Sequence, residues 1–313
     1  MKVSHFVHYE PGETPLILDM PHSAVDRDIS FDNLPEAIKK VFRFESAAAL
    51  RTLNIGVDHA VPFMTPFHER GDSKVWTTLP RVFCDPNRAP NDVDALSVDG
   101  APEGPNAHGL IWRASVARDE TAIEDLLKRP YTRKEFEEIV ETSYNPYHAA
   151  LKEAINKTRD RFGIAIVLGL HTFLTSRPKK LTEGRYAGAY VLGEEMPRGS
   201  LAQGTGLPDL ILIHNDHRAA SLPIIETVRG TFIQHGYLVE DGTGHLKGDN
   251  GITAMYGRPE EGIHVVGLEF VPHGIEINRA EGSLELDLEQ THQIQRVYNA
   301  TFNRLDEFAR VLA

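Results

Sequence analysis

Cysteine is almost missing from this sequence. Cys84 stands alone among 313 residues, which excludes an intramolecular disulfide and a cysteine-rich metal knuckle and suits a reducing compartment. Basic runs are missing as well. The formal charge is −12, and with no cluster of Lys and Arg to offset the acidic surplus, neither nucleic acid nor an anionic membrane is an expected partner. No window reaches the unbroken apolar length that a bilayer requires, and the opening "MKVSHFVHYEPGETPL" has no apolar core of signal-peptide length. The expectation is a soluble, cytoplasmic protein. The chain carries no GxGxxG fingerprint, P-loop, internal repeat or low-complexity tract, so nothing points to a nucleotide cofactor or a solenoid. A small molecule is the remaining kind of partner, and the oligomeric state stays open.

What is present is a chain that is 41% hydrophobic, enough for a substantial core, and residues 1–313 read as one domain. The strand-like runs are "LILDM" (16–20), "IAIVLGL" (164–170), "DLILIH" (209–214) and "IHVVGLEF" (263–270). Nearly continuous apolar runs of this kind predict interior strands covered on both faces. Helical periodicity marks 34–53, 132–144 flowing into 145–163, 220–236 and 287–313, with Asp287 placed to cap the last helix and Gly163 and Gly236 at helix ends. This alternation predicts an α/β fold, a mixed and largely parallel central sheet flanked by helices. Residues 91–105 and 193–209 read as long loops.

Three of those strands end in groups that do chemistry. "LILDMPH" places His22, "IAIVLGLH" places His171 and "IHVVGLE" places Glu269, each at or just past the end of an apolar run. Any one of these histidines alone is well explained by a hydrogen bond to backbone. Two imidazoles and an acid on one sheet rim, with a coordination position left open, are the usual ligand set of a catalytic zinc, and a further carboxylate can then accept a proton. In "RVFCDPNRAP", Asn87 and Arg88 form a fork suited to a substrate carboxylate, with Arg81 near by. The alternative is a structural pair between Arg88 and Asp85 or Asp92.

The segments "PLILDMPHSA", "VDHAVPFM", "VFCDPNRAP", "GPNAHGLIWR", "YNPYHAALKEAI", "VLGLHTF", "LPDLILIHND" and "HLKGDNGITAMYGRPEEGIHVVGLEF" follow one another over most of the chain. In this order they resemble the N-formylglutamate amidohydrolase family, zinc-dependent amide hydrolases similar in fold and site to the zinc carboxypeptidases. The resemblance implies His22 and His171 as zinc ligands and Asp58 of "VDH" as the third; its rival is Asp26, four residues after His22, where the family has no regular acid. It implies Glu269 as general base and Asn87 and Arg88 as the grip on the substrate carboxylate. Arg81, near by in the sequence, reads either as a partner of the developing oxyanion or as a structural residue. His148 of "NPYH" also matches a family position, at the substrate or in a structural hydrogen bond.

The implied cofactor is one Zn²⁺ per chain, the implied substrate a small anion, with N-formyl-L-glutamate first, and the implied pathway histidine degradation. Two competing readings stay open: a related deacylase or peptidase for another N-acyl amino acid or a cell-wall peptide, and a non-catalytic binding homologue. The chain departs from the family pattern in three places. Gly169 stands where the family has an acid two residues before the second histidine, "PHSA" replaces "PHSG", and Asp249 and Asn250 interrupt a glycine pair. A carboxylate behind a metal-bound imidazole fixes its tautomer, and losing it costs about 10–100-fold in affinity or activity.

Overall fold

Apolar residues on both sides of a strand require cover on both sides, and this sequence supplies it with helices. The computed structural model describes residues 5–23, 31–66, 70–104, 106–173, 175–176, 178–248, 251–272, 276–278, 283–285 and 287–312. Asp26, Asp249 and Asn250 lie outside the described residues. The strands are β1 (Val7–Glu10), β2 (Leu16–Met20), β3 (Ser73–Thr77), β4 (Ala165–Thr172), β5 (Lys179–Lys180), β6 (Tyr190–Val191), β7 (Leu210–Ile213), β8 (Val239–Asp241), β9 (Ile263–Phe270), β10 (Glu276–Asn278) and β11 (Ser283–Glu285). The α-helices are α1 (Glu36–Val41), α2 (Ala47–Ile55), α3 (Val61–Met64), α4 (Arg133–Ile139), α5 (Asn145–Phe162), α6 (Leu222–Gln234), α7 (Ile252–Tyr256) and α8 (Leu288–Leu312).

Seven strands form one sheet in the order β1-β3-β2-β4-β9-β7-β8. The inner strands β3, β2, β4 and β9 run parallel, β1 is antiparallel to β3, and β7 is antiparallel to β9 with β8 parallel to β7. The sheet is thus mixed and largely parallel, as the alternating pattern predicts. All four apolar runs are strands within it. The short strands β1, β3 and β8 carry polar residues and no long apolar run, so periodicity alone passes over them.

Alternation along each strand divides the core in two. Leu16, Leu18, Met20, Ile166, Leu168 and Leu170 pack on one face against α6 and α8 through Ile224, Val228, Phe232, Val297 and Phe302. Ile17, Ala165, Val167 and Val265 pack on the other against Tyr147, Leu151 and Ile155 of α5. Each fully buried Leu, Ile, Val, Met or Phe among them contributes roughly 1.5–3 kcal/mol of transfer free energy, which makes the sheet a rigid base.

The helical run 132–163 holds together but widens at one turn. Thr132 and Glu135 form a capping box, and the turn Val140–Tyr144 is a π-helix in which the Asn145 N–H donates to the Val140 carbonyl. Pro146 has no N–H for an ordinary helical bond, and the wider turn absorbs that loss. The run 34–53 is not one helix. It breaks over residues 42–46, because the Arg43 N–H donates to the Leu126 carbonyl and Phe42 bridges Leu127, so pairing with a distant segment overrides the local pattern. Ser46 then caps α2 through a bond from the Ala49 N–H.

Candidate active site

Register decides which side chains meet. Across the parallel strands Asp19 lies beside Gly169, Gly169 beside Gly267, and His171 beside Glu269. Because side chains alternate, these five positions share the α5 face of the sheet, past the apolar part that α5 covers. The two glycines leave a floor without side chains. Asp19, His171 and Glu269 stand around it.

His22 lies two residues beyond β2 and reaches the same place. Its Nε2–H donates to Asp85 Oδ1 at 2.9 Å, which leaves Nδ1 as the ring's acceptor. That Nδ1 is buried, has no hydrogen-bond partner and stands 3.5 Å from Asp58 Oδ2. Asp58 comes from the loop between α2 and α3, tied to the first histidine by a bond from its own N–H to the His22 carbonyl. Thr172 Oγ1 donates to Asp58 Oδ1 at 3.0 Å, and Asp58 Oδ2 takes His171 Nδ1 at 3.2 Å. One ligand atom each from His22, Asp58 and His171 lies within 4.8 Å of the others, and all three residues are buried. This donor set, two imidazoles and a carboxylate with an orphaned imidazole nitrogen turned toward it, fits a zinc ion.

The charges respond to one another. Burial opposes ionisation of Asp58, but the hydrogen bond from His171 and the nearness of both imidazoles outweigh it and hold the carboxyl well below the usual range. Burial likewise opposes charge on His171, yet the carboxylates of Glu269, Asp58 and Asp19 push its pKa up to about 9. Glu269 is raised, chiefly by burial, with His171 pulling the other way. Asp19 is raised to about 6, again by burial, against the hydrogen bond from Tyr147.

The "DPNR" turn contributes a further part of the wall. Asp85 is fully buried and is the hub: besides His22 it accepts Arg81 Nη2 at 2.6 Å, Arg81 Nε at 3.0 Å and the Asn87 N–H at 2.9 Å, while Arg88 Nε stands 3.7 Å away. Burial raises the Asp85 carboxyl, but Arg81 and His22 overcome it and hold it well below the ordinary range. The Arg81 guanidinium also lies 5.0 Å over the Trp112 ring. Asn87 accepts the Ile252 N–H at 2.9 Å through its side-chain oxygen, which fixes the start of α7. A Cβ on Gly251, whose φ is +98°, would stand 2.5 Å from that oxygen, so only glycine fits the approach.

His148 departs from a place at the substrate. Its Nε2–H donates to the Pro86 carbonyl at 3.0 Å and its Nδ1 accepts from Tyr256 at 2.7 Å. Both nitrogens are engaged, and the residue stands behind the turn as a brace for it. His22, Asp58, His171, Glu269, Arg81, Asn87 and Arg88 all line one cavity of about 160 Å³, together with Asp19, Trp112, Phe173 and Tyr190. Sequence reasoning treats Asp85 only as a partner of Arg88 and passes over Asp19, Tyr147 and Thr172. Asp19 does carry a signal, since it is an acid in the middle of an otherwise apolar strand.

The sequence model of the N-formylglutamate amidohydrolase family matches residues 14–275. The crystal structure of an N-formylglutamate amidohydrolase from Ralstonia eutropha superposes with a TM-score of 0.72 at 23% identity, covering 98% of this chain and 99% of that one. A gene product of Agrobacterium tumefaciens aligns with a TM-score of 0.48 at 15% identity over 96% of each chain. Among curated proteins no relative matches this chain. The first likeness concerns the fold, and the family match extends over most of the sequence. The chain belongs to the N-formylglutamate amidohydrolase family, and with it to the amidohydrolases.

Proposed function

We propose that this cavity hydrolyses the amide bond of an N-acyl amino acid with one zinc held by His22, Asp58 and His171, and that N-formyl-L-glutamate, giving L-glutamate and formate, is the first substrate to try. The observation that carries the reading is the orphaned His22 Nδ1, turned toward Asp58 while Asp85 claims the other ring nitrogen. Zinc in such a set supplies Lewis acidity and brings the pKa of a coordinated water to about 7.

The protein's own groups do the rest. Glu269, paired in register with His171 and raised by burial, takes a proton from the attacking water at its carboxylate and hands it to the leaving amine. Arg88, whose Nε has no hydrogen-bond partner and whose pKa is raised by Asp85 against the effect of burial, holds the substrate carboxylate. Arg81 is pinned between Asp85 and Trp112, so it keeps positive charge in the cavity wall with little freedom to move. Asn87 shapes the turn that presents Arg88. With substrate held at one end, attack at the acyl carbon becomes an oriented, effectively intramolecular event.

The test is formate release from N-formyl-L-glutamate by the zinc-loaded protein and by Glu269→Gln. The proposal expects turnover in the first and a loss of about 10²–10⁴-fold in kcat in the second, with zinc retained. Release of another carboxylic acid from other N-acyl amino acids, but no formate, would keep the chemistry and change the substrate. Equal activity of both proteins would remove Glu269 from the mechanism.

A further inference from the structure

The two histidines of the site are supported unequally. His22 has a carboxylate on the nitrogen that faces away from Asp58, namely Asp85 on Nε2. His171 turns Nδ1 to Asp58, and behind its Nε2 its own strand offers nothing, because the residue two before it on the same face is Gly169. A carboxylate that borders the space beside Gly169 comes instead from the adjacent strand β2. Asp19 is the register partner of Gly169, it is 1% exposed, and the Tyr147 hydroxyl donates to its Oδ1 at 2.6 Å. Its Oδ2 has no hydrogen-bond partner. A Cβ built on Gly169 would stand 3.6 Å from His171 Nε2 and 3.8 Å from Asp19 Oδ2, so both atoms border the space that the glycine leaves open.

From this geometry we infer that Asp19 is the positioning carboxylate of His171, acting across the strand pair on Nε2 as Asp85 acts on His22. The inference rests on the zinc reading above. Leaving one oxygen of a buried carboxylate without a partner disfavours the fold, so stability alone gives no reason for an acid at this point of an apolar strand. A negative charge behind Nε2 gives one: it keeps the proton on that nitrogen and leaves Nδ1 to the metal. Tyr147, presented by α5 just after the widened turn, fixes the carboxylate so that Oδ2 faces the space above Gly169.

The experiment is zinc affinity, measured by competition with a chromophoric chelator, for the wild type, Asp19→Asn and Asp19→Asn/Gly169→Asp. Asn keeps the shape and the bond from Tyr147 while removing the charge. Asp at 169 restores a carboxylate from β4, and its Cβ meets only ordinary van der Waals contacts there. Expected is affinity about 10–100-fold weaker in Asp19→Asn and largely recovered in the double variant, with the melting temperature of the metal-free protein recorded alongside. Unchanged affinity in Asp19→Asn, or a loss that Gly169→Asp does not recover, overturns the assignment while leaving the zinc site standing. A wild type that binds no zinc overturns both. Should Asp19→Asn fail to fold, Asp19→Ser/Gly169→Asp moves the carboxylate outright: zinc affinity within about tenfold of wild type supports the inference, and a larger loss contradicts it.

Discussion

A single proton decides whether His22 can serve a metal. With Nε2–H given to Asp85, the Nδ1 lone pair is free, and the opposite tautomer would close the site. His171 presents the reverse difficulty. Its pKa near 9 makes it an imidazolium at neutral pH in the metal-free protein, so zinc must displace a proton to bind. Zinc affinity should therefore rise with pH between about 6.5 and 9. The same shift stabilises the metal-free fold below pH 6.5 and stops doing so as pH climbs through 9, because the native state holds that proton more tightly than the unfolded chain. Calorimetric zinc titrations at pH 6.5, 7.5 and 8.5 would check this, and a flat affinity would show that His171 is not the proton that leaves. At the substrate end, Arg88→Ala should lower kcat/KM for carboxylate-bearing substrates by roughly 10²-fold without unfolding the protein, and Arg88→Lys should rescue little of it, since a point charge does not replace a planar fork. An unchanged specificity profile would make Arg88 structural.

Among individual strands and loops, legibility was uneven for a physical reason. His22, His171 and Glu269 were readable because an apolar run announces a buried strand, and the residue at its end must lie on the sheet rim. Asp58 was readable only through resemblance, for nothing in "VDH" announces a loop folded against β4. Asp85, Thr172 and Tyr147 were not readable in their roles, because each acts through another side chain far away in sequence, 63 residues for Asp85 and His22, 114 for Thr172 and Asp58, 128 for Tyr147 and Asp19. The helix over 34–53 failed for the same reason, since the pairing that breaks it comes from residues 126–128. Buried histidines make these distant connections sensitive to acid. His148, which braces the Pro86 turn, is held down to about 4 by burial, His108 to about 3, and His264, which accepts the Ser221 N–H ahead of α6, to about 4. Each stays neutral in the fold while the unfolded chain takes up a proton near pH 6.5, so stability should fall as pH drops from 6.5 toward 4. Melting temperatures across that range, compared for wild type and His148→Gln, should show a shallower acid decline in the variant. Equal slopes would mean that His148 is not responsible.

For the molecule as a whole, the sheet is the base and the function is collected at one end of it. The ends of β2, β4 and β9 contribute His22, His171 and Glu269, the loop after α2 contributes Asp58, and the turn at 85–88 contributes the guanidinium of Arg88 and the hub Asp85. A chain with formal charge −12 thus keeps two arginines, Arg81 and Arg88, inside a cavity suited to an anionic substrate. No helix among the described residues is long and apolar enough to cross a membrane. The most direct measurement is the metal content of the purified protein together with its hydrolysis of N-formyl-L-glutamate before and after chelation, repeated for His22→Ala. The account predicts about one zinc per chain, formate release that chelator abolishes and added zinc restores, and a variant that holds far less metal. Full activity in exhaustively chelated protein, or a His22→Ala protein that binds zinc as tightly as the wild type, would contradict it.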